Sequence, residues 1–161
     1  FSHHYLKAKS DEELAEAVKE QLTAKGYSFT SDFLKEFCRL MKERATFLND
    51  LPQMGYYFFE DIKEFDTETL KKKYKKESRP VFNEIISVTE SASDFTSTGL
   101  ELKLKELIQQ KGLKIGEIMP VLRLALAGTM QGPTVFDMMA LLGKEKTTAR
   151  LKKSFDYFDS L

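Results

Sequence analysis

The chain holds a single cysteine in 161 residues, so no intramolecular disulfide is possible. Cys38 lies in an apolar, helix-periodic stretch with Phe33, Leu34, Phe37, Leu40 and Met41. That is the setting of a buried structural thiol rather than a nucleophile, and it fits a reducing compartment. Long hydrophobic runs are missing too. None approaches the roughly 20 residues that a membrane-crossing helix needs, which argues against a membrane partner. The opening residues, Phe1-Ser2-His3-His4-Tyr5, contain neither an initiator Met nor a signal-peptide pattern. The missing Met points to a piece of a longer protein. Histidine is confined to His3 and His4, where a surface loop is the plain reading and a metal site the lesser one. There is no Walker loop, no GxGxxG and no CxxC. No nucleophile–base pair stands out, so the expected catalytic residues and metal ligands are none. Composition alone favours a helical binding or interaction module over an enzyme.

What is present is helical periodicity nearly throughout. Ser10, followed by Glu13 three residues on, forms a capping box ahead of Leu14, Ala17, Val18 and Leu22. This predicts a helix over 11–24, stopped by Gly26. Ser31 is expected to cap a second helix over about 32–48, and Pro52 to break it. Tyr56-Tyr57-Phe58-Phe59 reads as a short buried helix, with a strand as the other possibility. Asp66 or Thr67 caps a helix through 77. Pro80 disfavours helix at the residue before it, and another helix runs over about 80–91. Ser91-Ala92-Ser93-Asp94 reads as a junction, which divides the chain into subdomains 1–92 and 93–161. A helix to about 111 follows and ends at Gly112. In the next one Pro120 suits the first turn and Gly128 the end. The last two helices cover about 134–142 and 144–160, with Gly143 between them. Nothing alternates with period two for long, so no sheet is expected. The fold class is all-α, in two small helical subdomains.

The formal net charge is zero, but it is unevenly placed. Residues 1–70 carry 9 Lys/Arg against 14 Asp/Glu, and residues 71–161 carry 16 against 11. A basic second half permits a polyanionic partner without demanding one. The run Lys71-Lys72-Lys73-Tyr74-Lys75-Lys76 has two readings. Lysines attract nucleic-acid phosphates regardless of sequence. Alternatively they form a solvated turn, with Leu70 and Tyr74, four residues apart, facing inward.

Residues 111–151 carry more specific information. They run from Lys111-Gly112-Leu113-Lys114-Ile115-Gly116 through Leu122-Arg123-Leu124-Ala125-Leu126-Ala127-Gly128, Gly132-Pro133 and Leu141-Leu142-Gly143-Lys144-Glu145 to Arg150-Leu151. This resembles the C-terminal signature of bacterial glutamyl-tRNA synthetases. That signature is a K-x-G stretch, then P-L-R-x-A-L-T-G, a short loop with Pro, L-L-G-K-E, and a final helix beginning near R-L. Two departures occur. Val121 separates Pro120 from Leu122, and Ala127 stands where the family often has Thr. Weaker similarity extends over the rest, through Tyr5-Leu6, Asp11-Glu12-Glu13-Leu14, Leu40-Met41-Lys42-Glu43-Arg44 and Tyr57-Phe58-Phe59.

The resemblance implies an anticodon-binding region built from helices alone, unlike the β-barrels of the glutaminyl and eukaryotic cytosolic glutamyl enzymes. It implies a cytoplasmic, bacterial, monomeric setting. The partner is the anticodon stem-loop of glutamate tRNA, with no DNA. In the family the full enzyme activates glutamate with ATP and transfers it to tRNA. The HIGH-like and KMSKS-like motifs of that chemistry are absent here, so ATP and Mg2+ belong to the parent enzyme's catalytic domain and this chain takes no cofactor. By residue, Arg123 matches a helix facing the anticodon, and its guanidinium can stack or pair. Gly132, Pro133, Thr134 and Val135 match the loop that holds the first anticodon base. Arg44 matches the position that reads the third base, and Lys105 a basic position on the anticodon side. The competing reading is a helical protein-interaction module that binds no RNA, for which an exposed aromatic cluster at 56–59 would argue.

Overall fold

Helix starts follow the capping residues closely. In the computed structural model, which describes residues 10–43 and 50–161, Ser10 accepts a hydrogen bond from the Glu13 backbone N–H at 3.1 Å. Helix α1, Asp11–Ala24, starts there. Helix α2, Ser31–Met41, is capped by Thr30 rather than Ser31: Thr30 Oγ1 accepts from Phe33 N–H at 3.1 Å. Its C-cap is Lys42, short of the expected end near 48. Helix α3, Asp50–Met54, leads into a 3-10 turn at Tyr56–Phe58. The described residues contain no strand.

Two compact units, Phe1–Asp61 and Ile62–Leu161, make up the chain. In the first, α1 packs on α2 and α3. Leu14, Val18, Leu22, Phe37, Cys38, Met41 and Leu51 are fully buried. The aromatic stretch closes this core. Phe37 meets Phe58 and Phe59 edge-on at 5.7 and 5.0 Å, and Tyr27 stacks on Phe59 at 5.0 Å. A Cβ on Gly55 would strike the Phe37 ring, so only glycine lets the turn come this close.

The second unit contains α4 Thr67–Lys73, a 3-10 turn at Lys76–Ser78, α5 Arg79–Ser91, α6 Ser97–Gln110, α7 Ile115–Ala127, α8 Val135–Leu142 and α9 Lys144–Ser160. Helix α7 is apolar nearly all round, which marks a buried helix. It packs against α4, α6, α8 and α9. The boundary therefore differs from the expected junction near residue 92. Helix α5 packs on α9, and Phe82 stacks on Phe155 at 4.7 Å. Residues on both sides of 92 share one core, and the composition change at Ser91–Asp94 marks only the loop before the Thr96 cap of α6. Pro120 also lies deeper than expected, in the sixth position of α7. Helix α4 ends at Lys73 because Tyr74 is extended (φ −110°, ψ 134°).

Candidate functional site

A helix end leaves its last four carbonyls without intrahelical donors. At the end of α7 three of them find partners. The Leu124 oxygen accepts from Gly128 N–H at 2.8 Å, the Ala125 oxygen from Ser154 Oγ at 2.7 Å, and the Leu126 oxygen from Arg150 Nη1 at 3.0 Å. Two of these donors come from α9. Gly128 then turns the chain at φ +77°, in the left-handed region that favours glycine. Its carbonyl accepts from Asp66 N–H at 2.8 Å. A Cβ here would run into the Glu64 carbonyl oxygen and the Ile62 side chain. The segment 62–66 thus crosses directly over the end of α7.

From this anchored end the chain makes a short loop, 129–134, into α8. Arg123, half-buried on α7, donates from Nη1 to the carbonyl oxygens of Gly132 at 3.2 Å and Pro133 at 2.7 Å. Thr134 caps α8, its Oγ1 accepting from Asp137 N–H at 3.1 Å. Gln131 N–H donates to Thr129 Oγ1 at 3.3 Å. The loop is therefore held from below by α7, at its far end by the cap of α8, and within itself by Thr129.

The structure brings Arg123, Gly132, Pro133, Thr134 and Val135 together, but not all with an open face. Pro133 and Val135 are buried, Gly132 is half-buried and Thr134 is exposed. Beside them Met130 and Gln131 are exposed. No sequence motif singles out these two. Ser154 is likewise outside any motif, and Arg150, though part of the Arg150-Leu151 match, takes no role from it; both act on the end of α7 more than twenty residues away. Lys105 does not join the loop. It is exposed on α6, pairs with Glu101, and lines an open groove of about 310 Å³ with Ile108, Gln109, Leu113 and Ile115. That groove is at the start of α7, about 18 Å along the helix from Ala127. Arg44 lies outside the described residues, as do His3 and His4. No cluster of His, Cys, Asp and Glu suited to a metal occurs among the described residues. None of their helices is long and apolar enough to cross a membrane.

A second polar cluster ties the second unit together. The Tyr74 hydroxyl donates to Asp159 Oδ1 at 2.6 Å, and Arg79 donates to Asp159 Oδ2 at 2.6 Å and to Asp156 Oδ1 at 3.0 Å. Burial pushes the Tyr74 phenol well above its ordinary range, helped by the hydrogen bond to Asp159 and its charge. Burial works to raise the Asp159 carboxyl as well. The hydrogen bonds from Tyr74 and Arg79 outweigh it and hold Asp159 below the usual carboxylate range. At the start of α4, the side-chain and backbone hydrogen bonds from Thr69 keep the capping Asp66 carboxyl low.

A family profile described as the anticodon binding domain matches residues 13–155. The glutamate–tRNA ligase of Flavobacterium johnsoniae is 34% identical over 154 residues, covering 96% of this chain and 30% of that protein. The ligase of Flavobacterium psychrophilum is 35% identical over the same length, with the same coverage. Among solved structures, a glutamate tRNA ligase from Elizabethkingia meningosepticum matches with a TM-score of 0.88 at 32% identity, over 94% of this chain and 30% of that one. A glutamate–tRNA synthetase from Elizabethkingia anophelis matches with a TM-score of 0.81 at 32% identity, over 94% and 29%. The chain spans about 30% of the length of the curated relatives it matches. With its strand-free described architecture and its match across nearly the whole length, the chain belongs to the anticodon binding domain family, in the form carried by bacterial glutamate–tRNA ligases.

Proposed function

We propose that this chain reads the anticodon loop of glutamate tRNA, so that a catalytic domain outside the sequence can attach glutamate to that tRNA. The observation that carries the reading is the fixed loop 129–134, its carbonyls held by Arg123 and its exposed side formed by Met130, Gln131 and Thr134. Unpaired RNA bases are read by stacking and by hydrogen bonds to their edges. Gln131 offers an amide donor and acceptor and Met130 an apolar face. The Thr134 hydroxyl accepts from the helix and keeps its own hydrogen to donate. In this proposal Pro133 and Val135 shape the loop from beneath. Arg123 frames it, since Nη1 is engaged by two carbonyls. Arg44 and Lys105 enter through the family resemblance alone, Arg44 as reader of the third base.

ATP and Mg2+ act in the catalytic domain of the parent enzyme on this reading, and the chain alone takes no cofactor and charges no tRNA. It works as a monomer in the bacterial cytoplasm and contacts neither DNA nor membrane. The protein-interaction alternative loses its main support, because Tyr57 and Phe58 are each 1% exposed.

Fluorescence anisotropy tests the proposal, using the anticodon stem-loop of glutamate tRNA and versions with each anticodon base changed in turn. The native loop should bind about tenfold more tightly or better, a difference of ~1.4 kcal/mol. Equal affinity for all versions would overturn the reading. Glutamate-dependent ATP–pyrophosphate exchange by the chain would overturn its assignment as inactive.

A further inference from the structure

Lys71, Lys72, Lys73, Lys75 and Lys76 fall within six residues, and all five are exposed. Lys35, Lys105 and Lys152, also exposed, find carboxylates in Glu12, Glu101 and Glu90. Lys19, Lys25, Lys103, Lys114 and Lys146 are exposed without an ion pair among the described residues, so crowding within six residues is what sets the cluster apart. None of the five clustered lysines pairs with a described carboxylate, and Glu68 and Glu77 beside them form no ion pair among the described residues either. The other carboxylates close by are already engaged, Asp66 by Thr69 and both Asp156 and Asp159 by Arg79. Asp66 feels the charge of Lys72 and Asp159 that of Lys76, without an ion pair in either case.

Preference for cations at a helix C-terminus accounts for lysines at 71–73, in the last turn of α4. It does not account for Lys75 and Lys76. Tyr74 and Lys75 are both extended, so these two stand beyond the reach of the helix dipole. Crowded like charge works against the compact state, and Asp66 and Asp159 offset it only in part. The geometry places this charge near the loop. Leu70 and Tyr74 are 2% and 8% exposed, so the three lysines of α4 spread over its outer arc. Asp66, the cap of α4, donates from its backbone N–H to the carbonyl of Gly128, where the 129–134 loop begins. Lys71–Lys73 stand about 8–10 Å along the helix from that bond, close to one Debye length at physiological salt.

We propose that Lys71, Lys72, Lys73, Lys75 and Lys76 form a phosphate-contacting flank for RNA whose bases engage the 129–134 loop. The flank adds affinity without sequence preference, and the loop supplies the preference. The inference rests on the anticodon-loop binding proposed above.

The test uses the full 161-residue chain, a Lys71→Gln/Lys72→Gln/Lys73→Gln variant, a Lys75→Gln/Lys76→Gln variant and a Lys71→Arg/Lys72→Arg/Lys73→Arg variant. Each is titrated with the glutamate anticodon stem-loop, and with a stem-loop in which all three anticodon bases are changed, over a series of KCl concentrations. The slope of log affinity against log salt should fall by about 2 in the triple Gln variant, at ~0.7–0.9 for each phosphate no longer neutralised. Both RNAs should weaken by the same factor, and the Arg variant should keep the wild-type slope. A wild-type slope in both Gln variants overturns the flank, as does a change in the ratio between the two RNAs without a change in slope. The Lys75→Gln/Lys76→Gln variant carries the same comparison if the triple variant melts early. Should wild type bind both stem-loops equally, anticodon reading fails, while the slope comparison still decides the role of the lysines.

Discussion

Arg123 donates to the carbonyl oxygen of Pro133 at 2.7 Å, ten residues along the chain. The same nitrogen reaches Gly132 at 3.2 Å, so one guanidinium fixes the turn in which a base would be read. Hydrogen bonds to a charged donor are worth roughly 1.5–3 kcal/mol, less where water competes. Arg123→Ala should cost about 1–2 kcal/mol, a drop of a few degrees in Tm for a chain of this size. It should also weaken stem-loop binding through the loosened loop. Arg123→Lys keeps the charge without the planar fork and should recover only part of either loss. If Arg123 instead contacts a base directly, Arg123→Ala would shift base preference with no change in melting. Thermal melts read beside anisotropy tell the two apart.

Local signals in this sequence are legible where the partner is local. Ser10 with Glu13 and Gly128 each predict a boundary that the structure holds, because a cap is an interaction over three or four residues. The signal fails where two hydroxyls compete, as with Thr30 and Ser31. It also fails where the deciding contact is remote. Nothing near residue 92 reveals that Phe82 stacks on Phe155, so the composition suggests a unit boundary there, whereas the packing groups residues on both sides of 92 in one compact unit, Ile62–Leu161. The motif around Arg123 is visible as a pattern, but its engagement with loop carbonyls is not. An arginine's spacing along a helix says which way it points, not what it meets. Ser154 and Arg150 reach the end of α7 only once α9 has packed on it.

Gly128 and Gly112 separate two costs that glycine avoids. Both are left-handed, at φ +77° and +70°. A Cβ on Gly112 meets nothing within 4 Å, whereas on Gly128 it meets the Glu64 backbone. Gly112→Ala should therefore cost only the conformational term, about 1 kcal/mol. Gly128→Ala adds a clash with backbone that cannot turn aside, and should cost about 3 kcal/mol or more. Urea denaturation of the two variants checks this, and equal costs would remove the crossing of 62–66 over Gly128 as a constraint.

Asp159 gives the second unit an acid-sensitive element. Its folded-state pKa is depressed below the unfolded value of about 3.9. Its contribution is therefore complete at pH well above 4 and is lost as pH falls through the folded value. Asp159→Asn should lower stability by about 1–3 kcal/mol at pH 7, since it weakens hydrogen bonds from both Tyr74 and Arg79. The gap between wild type and variant should narrow steadily below pH 4. Melting curves from pH 7 to pH 2 measure it, and a gap that stays constant with pH would show that Asp159 is not held ionised by this pairing.

Arg44 carries the sharpest test of base selectivity, and it stands on the family resemblance rather than on observed contacts. Glutamate anticodons end in C and glutamine anticodons in G. On its pairing edge cytosine offers O2 and N3 as acceptors and N4 as a donor. Guanine offers O6 as an acceptor, with N1 and N2 as donors. Arginine only donates, so it can pair with two adjacent acceptors on cytosine and meets donors on much of guanine's edge. Glutamine at 44 supplies a donor and an acceptor, and the preference should fall. Bidentate contacts to bases in DNA complexes are worth roughly 1–3 kcal/mol, or about tenfold or more in the ratio of affinities for C-ending and G-ending stem-loops. A residue that serves only folding would give a different result: Arg44→Gln would melt slightly earlier and discriminate as before. Binding of both stem-loops by wild type and Arg44→Gln decides the matter, and an unchanged ratio removes Arg44 from the recognition surface.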